Sequence, residues 1–363
     1  MSKRIMARGG PILTCALLTM AMPDHARAAS IQSFDFEIVA ALTDDDGDEA
    51  TDISGVSCLP PDGGKHVCLV IDDQGRLAQA ATIEGLKLRG GGKIRLISKG
   101  GAPADIVGQE PIVDECSEKA AKFKDLDGEA VAHYKQDFYV VGSHGCSRNS
   151  NKFRASSFVL ARVPDQIVSK VAAADSKSVD ENGPIATSYR LSEALLVAPL
   201  VKEFFARDLM TKNGLNIEGL AIIDGKLYAG LRAPVVDTKA YLIEVDLDAL
   251  FDAGKSIALG KEVREIELDF LGGRGIRDLA ALGDGRLVVL SGPAQADGTP
   301  FALHFLDPKT NIAKPIAVLG DVPSGAKAEG LHVLAQSPKG MDLVIMFDGP
   351  KSGGARRYSI EFE

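Results

Sequence analysis

Short apolar runs of strand length, separated by Gly, Asp and Pro, recur along most of the chain. The clearest is Asn216-Ile217-Glu218-Gly219-Leu220-Ala221-Ile222-Ile223, then Asp224-Gly225, then Lys226-Leu227-Tyr228-Ala229-Gly230-Leu231-Arg232. Asp-Gly between two apolar runs predicts a two-residue hairpin, because both turn positions tolerate positive φ. This unit recurs, giving five copies in all. The copies open at Ser54-Gly55-Val56, Glu129-Ala130-Val131, Glu218-Gly219-Leu220, Arg277-Asp278-Leu279 and Glu329-Gly330-Leu331, and each leads into a second apolar run. Glu129 to Phe138 and Glu218 to Leu227 have the same spacing.

One or two further β-rich runs follow each copy, such as Ala240 to Val245 and Val263 to Leu268 after the third. Four short strands per unit, repeated along one chain, predict an all-β protein of β-propeller type. The absence of Trp argues against the WD-repeat kind. Five blades are expected. The long intervals from 54 to 129 and from 129 to 218 leave room for a sixth, but helical insertions account for most of the excess. One insertion is a short polar helix over 114–124, and the other an amphipathic helix over 192–210 carrying Leu195, Leu196, Leu200, Phe204 and Phe205. The fifth copy has three strands only. The strand-like run Ile31 to Val39 would supply its fourth and close the ring, removing two open sheet edges.

The first 28 residues change the picture of where the chain works. Lys3, Arg4 and Arg8 precede an apolar run from Pro11 to Met22, and Ala26-Arg27-Ala28 gives a small-x-small cleavage pattern. That is the layout of a secretory signal, and the apolar run is too short to span a bilayer. The expected organisation is therefore a signal peptide over 1–28 and one propeller domain over 29–363, periplasmic or secreted, with no membrane span. Removing residues 1–28 leaves 37 cationic and 49 acidic side chains, a net charge of −12. No basic stripe is present, which excludes a nucleic-acid partner. Four cysteines remain in the mature chain, and an oxidising compartment allows three full pairings. Cys58 and Cys68 fall on consecutive expected strands, and Cys116–Cys146 follows by elimination. A zinc site is disfavoured, since no Cys or His pair stands at ligand spacing.

Ile217 to Ala221, Gly230 to Pro234, Gly275 to Leu279, Leu290 to Pro293 and Ala328 to Leu331, in that order, resemble the bacterial family called domain of unknown function 3616. Gly142-Ser143-His144 and Asp125-Leu126-Asp127-Gly128-Glu129 resemble its earlier segment, so the resemblance covers roughly residues 50–363. The second copy departs from the family's Glu-Gly by placing Ala130 after Glu129. The resemblance implies a propeller-like fold and no established activity. A looser similarity to phytase-like and gluconolactonase-like propellers points by analogy to phosphoester or lactone substrates.

In each blade the start of the first strand and the end of the antiparallel second lie at one end. One mouth of the channel should therefore collect polar groups from every blade. Glu129, His144 and Glu218 are the candidate catalytic residues, with Glu129 or His144 as base. Asp52, Arg154, Arg232, Arg277, Asp278, Glu329 and Asp348 are candidate ligand-binding residues. An oxygen-rich ring of this kind would suit a hard divalent cation such as calcium, which could polarise a carbonyl or phosphoryl group for water attack. The function expected is an exported propeller that binds, and as an enzyme would hydrolyse, a small polar or anionic molecule at that mouth. The alternative is a non-catalytic periplasmic platform for a protein partner, in which the same residues cap strands and Glu218 pairs with Arg232 or Arg277 across blades. Asp44-Asp45-Asp46-Gly47-Asp48 fails calcium-loop spacing and reads as a solvated turn, and Gly90-Gly91-Gly92 lacks the context of a phosphate loop. His133, His304 and His332 alternate with apolar neighbours and read as structural.

Overall fold

The computed structural model describes residues 28–363, apart from 99, 114, 118–122, 149, 296 and 297. The signal-like segment lies outside the described residues, as does most of the helix expected over 114–124. Five antiparallel sheets follow one another along the chain. Blade 1 runs Ile53–Cys58, Lys65–Asp72, Leu77–Glu84 and Lys87–Arg95, and blade 2 runs Gly128–Tyr134, Asp137–Gly142, Leu160–Pro164 and Ala186–Ser188. Blade 3 is Asn216–Ile223, Lys226–Ala233, Ala240–Asp246 and Val263–Leu268; blade 4 is Gly275–Ala281, Leu287–Gly292, Ala302–Asp307 and Ile312–Val318. Blade 5 contributes Lys327–Ser337, Gly340–Asp348 and Arg356–Phe362, and its outer strand is the N-terminal Ala28–Asp35. The first strand of each blade packs against the first strands of both neighbouring blades, closing a ring of five.

The expected hairpin turn is present, with Ile223 paired to Lys226 and both Asp224 and Gly225 at positive φ. Apolar residues alternating off the two faces of each sheet fill the spaces between blades. Ile71, Leu126, Val131 and Val140 are buried between blades 1 and 2, and Leu279, Leu287 and Ile276 between blades 3 and 4. Blade 1 is widened by Glu37–Ala40 and Val179–Asp180, which both run parallel to its outer strand. The Gly90–Gly92 run lies inside that outer strand, and Asp44 accepts backbone N–H groups of Asp46, Gly47 and Asp48 in a local turn.

Both disulfides form as paired in the sequence reading. Cys58 and Cys68 stand directly opposite each other in the first hairpin of blade 1, and Cys116–Cys146 ties together the segments flanking the first hairpin of blade 2. The single amphipathic helix expected over 192–210 is instead three pieces: Arg190–Val197, a 3-10 turn Lys202–Phe204, and Leu209–Lys212. Pro199 explains the break. It has no N–H to donate and pushes the residue before it out of the helical region, and Ala198 has φ −82° and ψ 106°. A further helix, Asp165–Ala172, packs its apolar face on blade 1 and was not anticipated.

Candidate functional site

All five first strands carry a β-bulge at the same place. Pairing skips one residue between Ile53 and Gly55, Gly128 and Ala130, Ile217 and Gly219, Ile276 and Asp278, and Ala328 and Gly330. The unpaired residues are Ser54, Glu129, Glu218, Arg277 and Glu329. A bulge frees its residue from the alternation of the ladder and re-aims the side chain, so each blade offers one polar group to the ring. All five are buried.

Four of these five groups are bonded to one another or to Arg232. Arg277 places its guanidinium between two carboxylates, with Nη1 2.8 Å from Glu218 Oε2 and Nη2 donating to Glu329 Oε1. Arg232 Nη1 donates to Glu218 Oε1 at 2.7 Å, and its Nε donates to the Ala294 carbonyl at 3.0 Å. Ser54 Oγ donates to Glu329 Oε2 at 3.2 Å, which joins blade 5 to blade 1. The pairing weighed as the alternative for Glu218 is thus present with both arginines, with Arg232 inside blade 3 and with Arg277 across to blade 4. Asp278 also holds blades together: its carboxylate accepts the N–H of Leu279 at 2.7 Å and of Leu331, on blade 5, at 2.6 Å.

Glu129 differs. Among the described residues no hydrogen bond or ion pair reaches its carboxyl, although it is only 5% exposed. It lies on the wall of a cavity of about 400 Å³ at this mouth. Burial pushes its carboxyl well above the usual range, and the charges of Glu218, Asp127, Glu329 and Asp73 push it further. Asp52, Arg154 and Asp348 line the same cavity. Arg154 Nη1 donates to both carboxylate oxygens of Asp125, at 2.7 and 2.8 Å, and Lys327 donates to Asp348.

His144 is not where a mouth base would stand. It is fully buried, does not line the cavity, packs edge-on to Phe158 and shares its Nδ1 with the Gly142 carbonyl at 2.9 Å. Burial lowers its pKa to about 4. Glu218, Arg232, Arg277, Asp278 and Glu329 also lie outside the cavity lining, behind it in the ring. Most of the lining is not among the residues picked from the sequence, Asp73, Asp127, Arg148 and Asn216 included. Asn216 is 5% exposed and its Oδ1 has no partner, and Asp73 Oδ1 is likewise buried without one. Burial and the neighbouring Asp127 and Asp72 push Asp73 up to about 9. No group of three or more His, Cys, Asp and Glu side chains is arranged to hold an ion among the described residues.

The opposite end of the channel mixes apolar side chains with histidines. A cavity of about 230 Å³ is lined there by Leu220, Ile222, Leu279, Leu331 and their neighbours, with His66, His133 and His332. His133 shares its Nε2 with Asp165 at 3.1 Å, and His304, elsewhere in blade 4, meets Ser291 Oγ at 3.1 Å.

Residues 109–359 match the sequence profile of the family described as Protein of unknown function (DUF3616). The chain belongs to that family. The match begins after blade 1, so the DUF3616 profile covers blades 2 to 5 rather than the whole span from residue 50. No curated protein matches this DUF3616 chain. Among solved structures, an exo-β-1,3-galactanase from Phanerochaete chrysosporium with galactose is 10% identical, over 91% of this chain and 64% of that one, at a TM-score of 0.43. This chain thus spans less than two thirds of the galactanase. A family 43 β-1,3-galactosidase is 12% identical over 90% and 94% of the two chains (TM-score 0.47). A family 117 glycoside hydrolase from Zobellia galactanivorans is 11% identical over 92% and 90% (TM-score 0.45). These values assign no activity to the DUF3616 chain.

Proposed function

We propose that this DUF3616 protein is an exported propeller that binds a small polar molecule in the cavity at the Glu129 mouth. The observation that carries the reading is Glu129 itself, a buried carboxyl without a partner on the wall of a polar cavity. An unpaired buried polar group costs stability, and a ligand that satisfies it gains that same free energy on binding. The cavity has the volume of a small-molecule site. An anionic ligand, such as a phosphoester, finds little support in the lining. Arg154 and Lys327 are committed to carboxylates, and Asp52, Asp73, Asp127 and Glu129 crowd the lining with carboxyl groups.

Hydrolysis is the second reading, favoured by the raised carboxyl of Glu129. A carboxyl protonated near neutral pH inside a cavity is what a general acid requires. Export rests on the signal-like segment and on the two disulfides, which persist in oxidising compartments. Cleavage near Ala28 would leave the ring-closing strand on the mature chain.

Native mass spectrometry of the protein from its producing cell, with crystals soaked in polar panels, tests the binding reading. A molecule seated against Glu129 is the expected result. A cavity that stays solvent-filled through every panel would sink it. For hydrolysis, Glu129→Gln should abolish turnover of any substrate found while leaving its binding within about tenfold.

A further inference from the structure

We propose that the group recognised at this mouth is an amine, seated as an ammonium against Glu129. The inference rests on the reading that the cavity binds a small polar ligand, and it names the ligand's class. The argument begins with the ring. Five bulge positions supply Ser54, Glu129, Glu218, Arg277 and Glu329. Arg277 and Arg232 neutralise Glu218, Arg277 also neutralises Glu329, and Ser54 donates to Glu329. Blade 2 has no such partner for Glu129. Arg148, exposed at the rim, feels the charge of Glu129, Glu218, Glu329 and Asp127, yet no ion pair joins it to Glu129.

Most of the unsatisfied atoms of the cavity are oxygens. Glu129 offers its carboxyl, and Asp73 Oδ1 and Asn216 Oδ1 are buried without a partner, beside a single unpaired donor, Arg154 Nε. An ammonium group carries three donors and no acceptor, which is the complement of such a wall. A phosphate or carboxylate would bring negative charge to a wall already crowded with carboxyl groups. A hydroxyl satisfies one acceptor per proton and brings no charge. The other wall carboxylates are already bonded, Asp125 by Arg154, Asp348 by Lys327 and Asp127 by Ser143.

A proton should leave as the ligand arrives. Burial and the surrounding charges of Glu218, Asp127, Glu329 and Asp73 raise the Glu129 carboxyl well above its usual range and so favour its protonated form. A cation against it favours the ionised form, so binding an ammonium releases that proton to solvent.

The test is calorimetry on the full chain at neutral pH with matched pairs: glucosamine and glucose, 1,4-diaminobutane and 1,4-butanediol. Calcium chloride and glucose 6-phosphate run alongside. At least one amine should bind about tenfold tighter than its uncharged isostere or more, as expected for a buried charge-assisted bond. Its binding enthalpy should shift between buffers of different ionisation enthalpy in the sense of proton release. Glu129→Gln should bring the two members of that pair within about twofold of each other. If that variant does not fold, Asn216→Ala replaces it and should weaken the amine at least about fivefold.

Equal binding of amine and isostere overturns the amine inference and leaves the polar-ligand reading standing. Binding of neither member of any pair, with crystals also empty, takes both down. Calcium binding that the amines do not displace, or an amine preference that survives Glu129→Gln, overturns the assignment as well.

Discussion

Arg277 is the residue on which the ring of bulges turns. Its guanidinium is 1% exposed and serves the carboxylates of Glu218 and Glu329 together. Removing it leaves two buried carboxylates short of a counter-charge, a loss that costs about 3–5 kcal/mol in comparable buried pairs. Arg277→Met should lower the urea midpoint accordingly, and Arg277→Lys should recover part of the loss, since one ammonium cannot fork to both partners. Asp73 gives a different signature. Its carboxyl is raised to about 9, so the folded chain holds a proton that the unfolded chain has released above about pH 4. That contribution is complete at acid pH and is lost as pH rises through about 9. Asp72 and Glu329, each raised to about 7, lose theirs earlier. Buried His144 and His332, lowered to about 4 and about 3, act in the opposite sense and lose stability as pH falls below the ordinary histidine range. Thermal melts from pH 5 to pH 9 should therefore decline less steeply in Asp73→Asn than in the parent. Identical slopes would show that Asp73 is ionised throughout.

At the scale of the element, the bulge and the residue after it, Gly or Ala in four of the five blades, form one device. The residues following the five bulges are Gly55, Ala130, Gly219, Asp278 and Gly330. A Cβ at position 55 would sit 2.8 Å from the Ala130 Cα, a backbone atom of the next blade. A Cβ at 219 would first meet side-chain atoms, Ile276 Cγ2 and Leu279 Cγ at 3.0 Å, with the backbone carbon of Asp278 farther off at 3.2 Å. Gly55→Ala should thus cost more than Gly219→Ala, by something within the range of about 1–3 kcal/mol typical of overpacking. Denaturant midpoints of the two variants decide it. The hairpins that carry these devices were legible in the sequence because they are local and repeated, whereas the bulges themselves were not read from it. An Asp-Gly turn, a polar residue and a small residue at fixed offsets sit within one hairpin, and five copies reinforce the reading. What escaped was set by contacts distant in sequence. That Glu218 is neutralised and Glu129 is not depends on which blade holds an arginine opposite, and His144 was placed correctly on its strand end yet turns inward behind Phe158. Asp73 and Asn216 look like ordinary loop and strand-end residues until burial removes their solvent. The helix over 192–210 failed for a local reason, since Pro199 outweighs the apolar spacing around it.

For the whole molecule, the decisive feature is how the ring closes. The chain's first described strand pairs with its last: Ile31 opposite Ile360, Ser33 opposite Tyr358 and Asp35 opposite Arg356. Ile31 packs on the core of blades 4 and 5, and Phe36, just beyond the strand, is buried in the core shared by blades 5 and 1. Residues 28–36 thus clasp the two ends of the chain, in a manner that local hairpins alone cannot supply. Deleting them exposes the edge of Arg356–Phe362 as a row of unpaired backbone groups, a template for pairing with other chains. The truncated protein should melt at lower temperature and form concentration-dependent oligomers in light scattering. A synthetic peptide of residues 28–40 should reverse both effects, because the vacated edge accepts a strand in trans by the same hydrogen bonds. Restoration by that peptide and not by one with Ile31 and Phe36 replaced by Ser would show that the closing strand acts through its register and its apolar contacts. A truncation that leaves the melt and the scattering unchanged would mean that Gly340–Asp348 and the blade 5 core hold the ring without it.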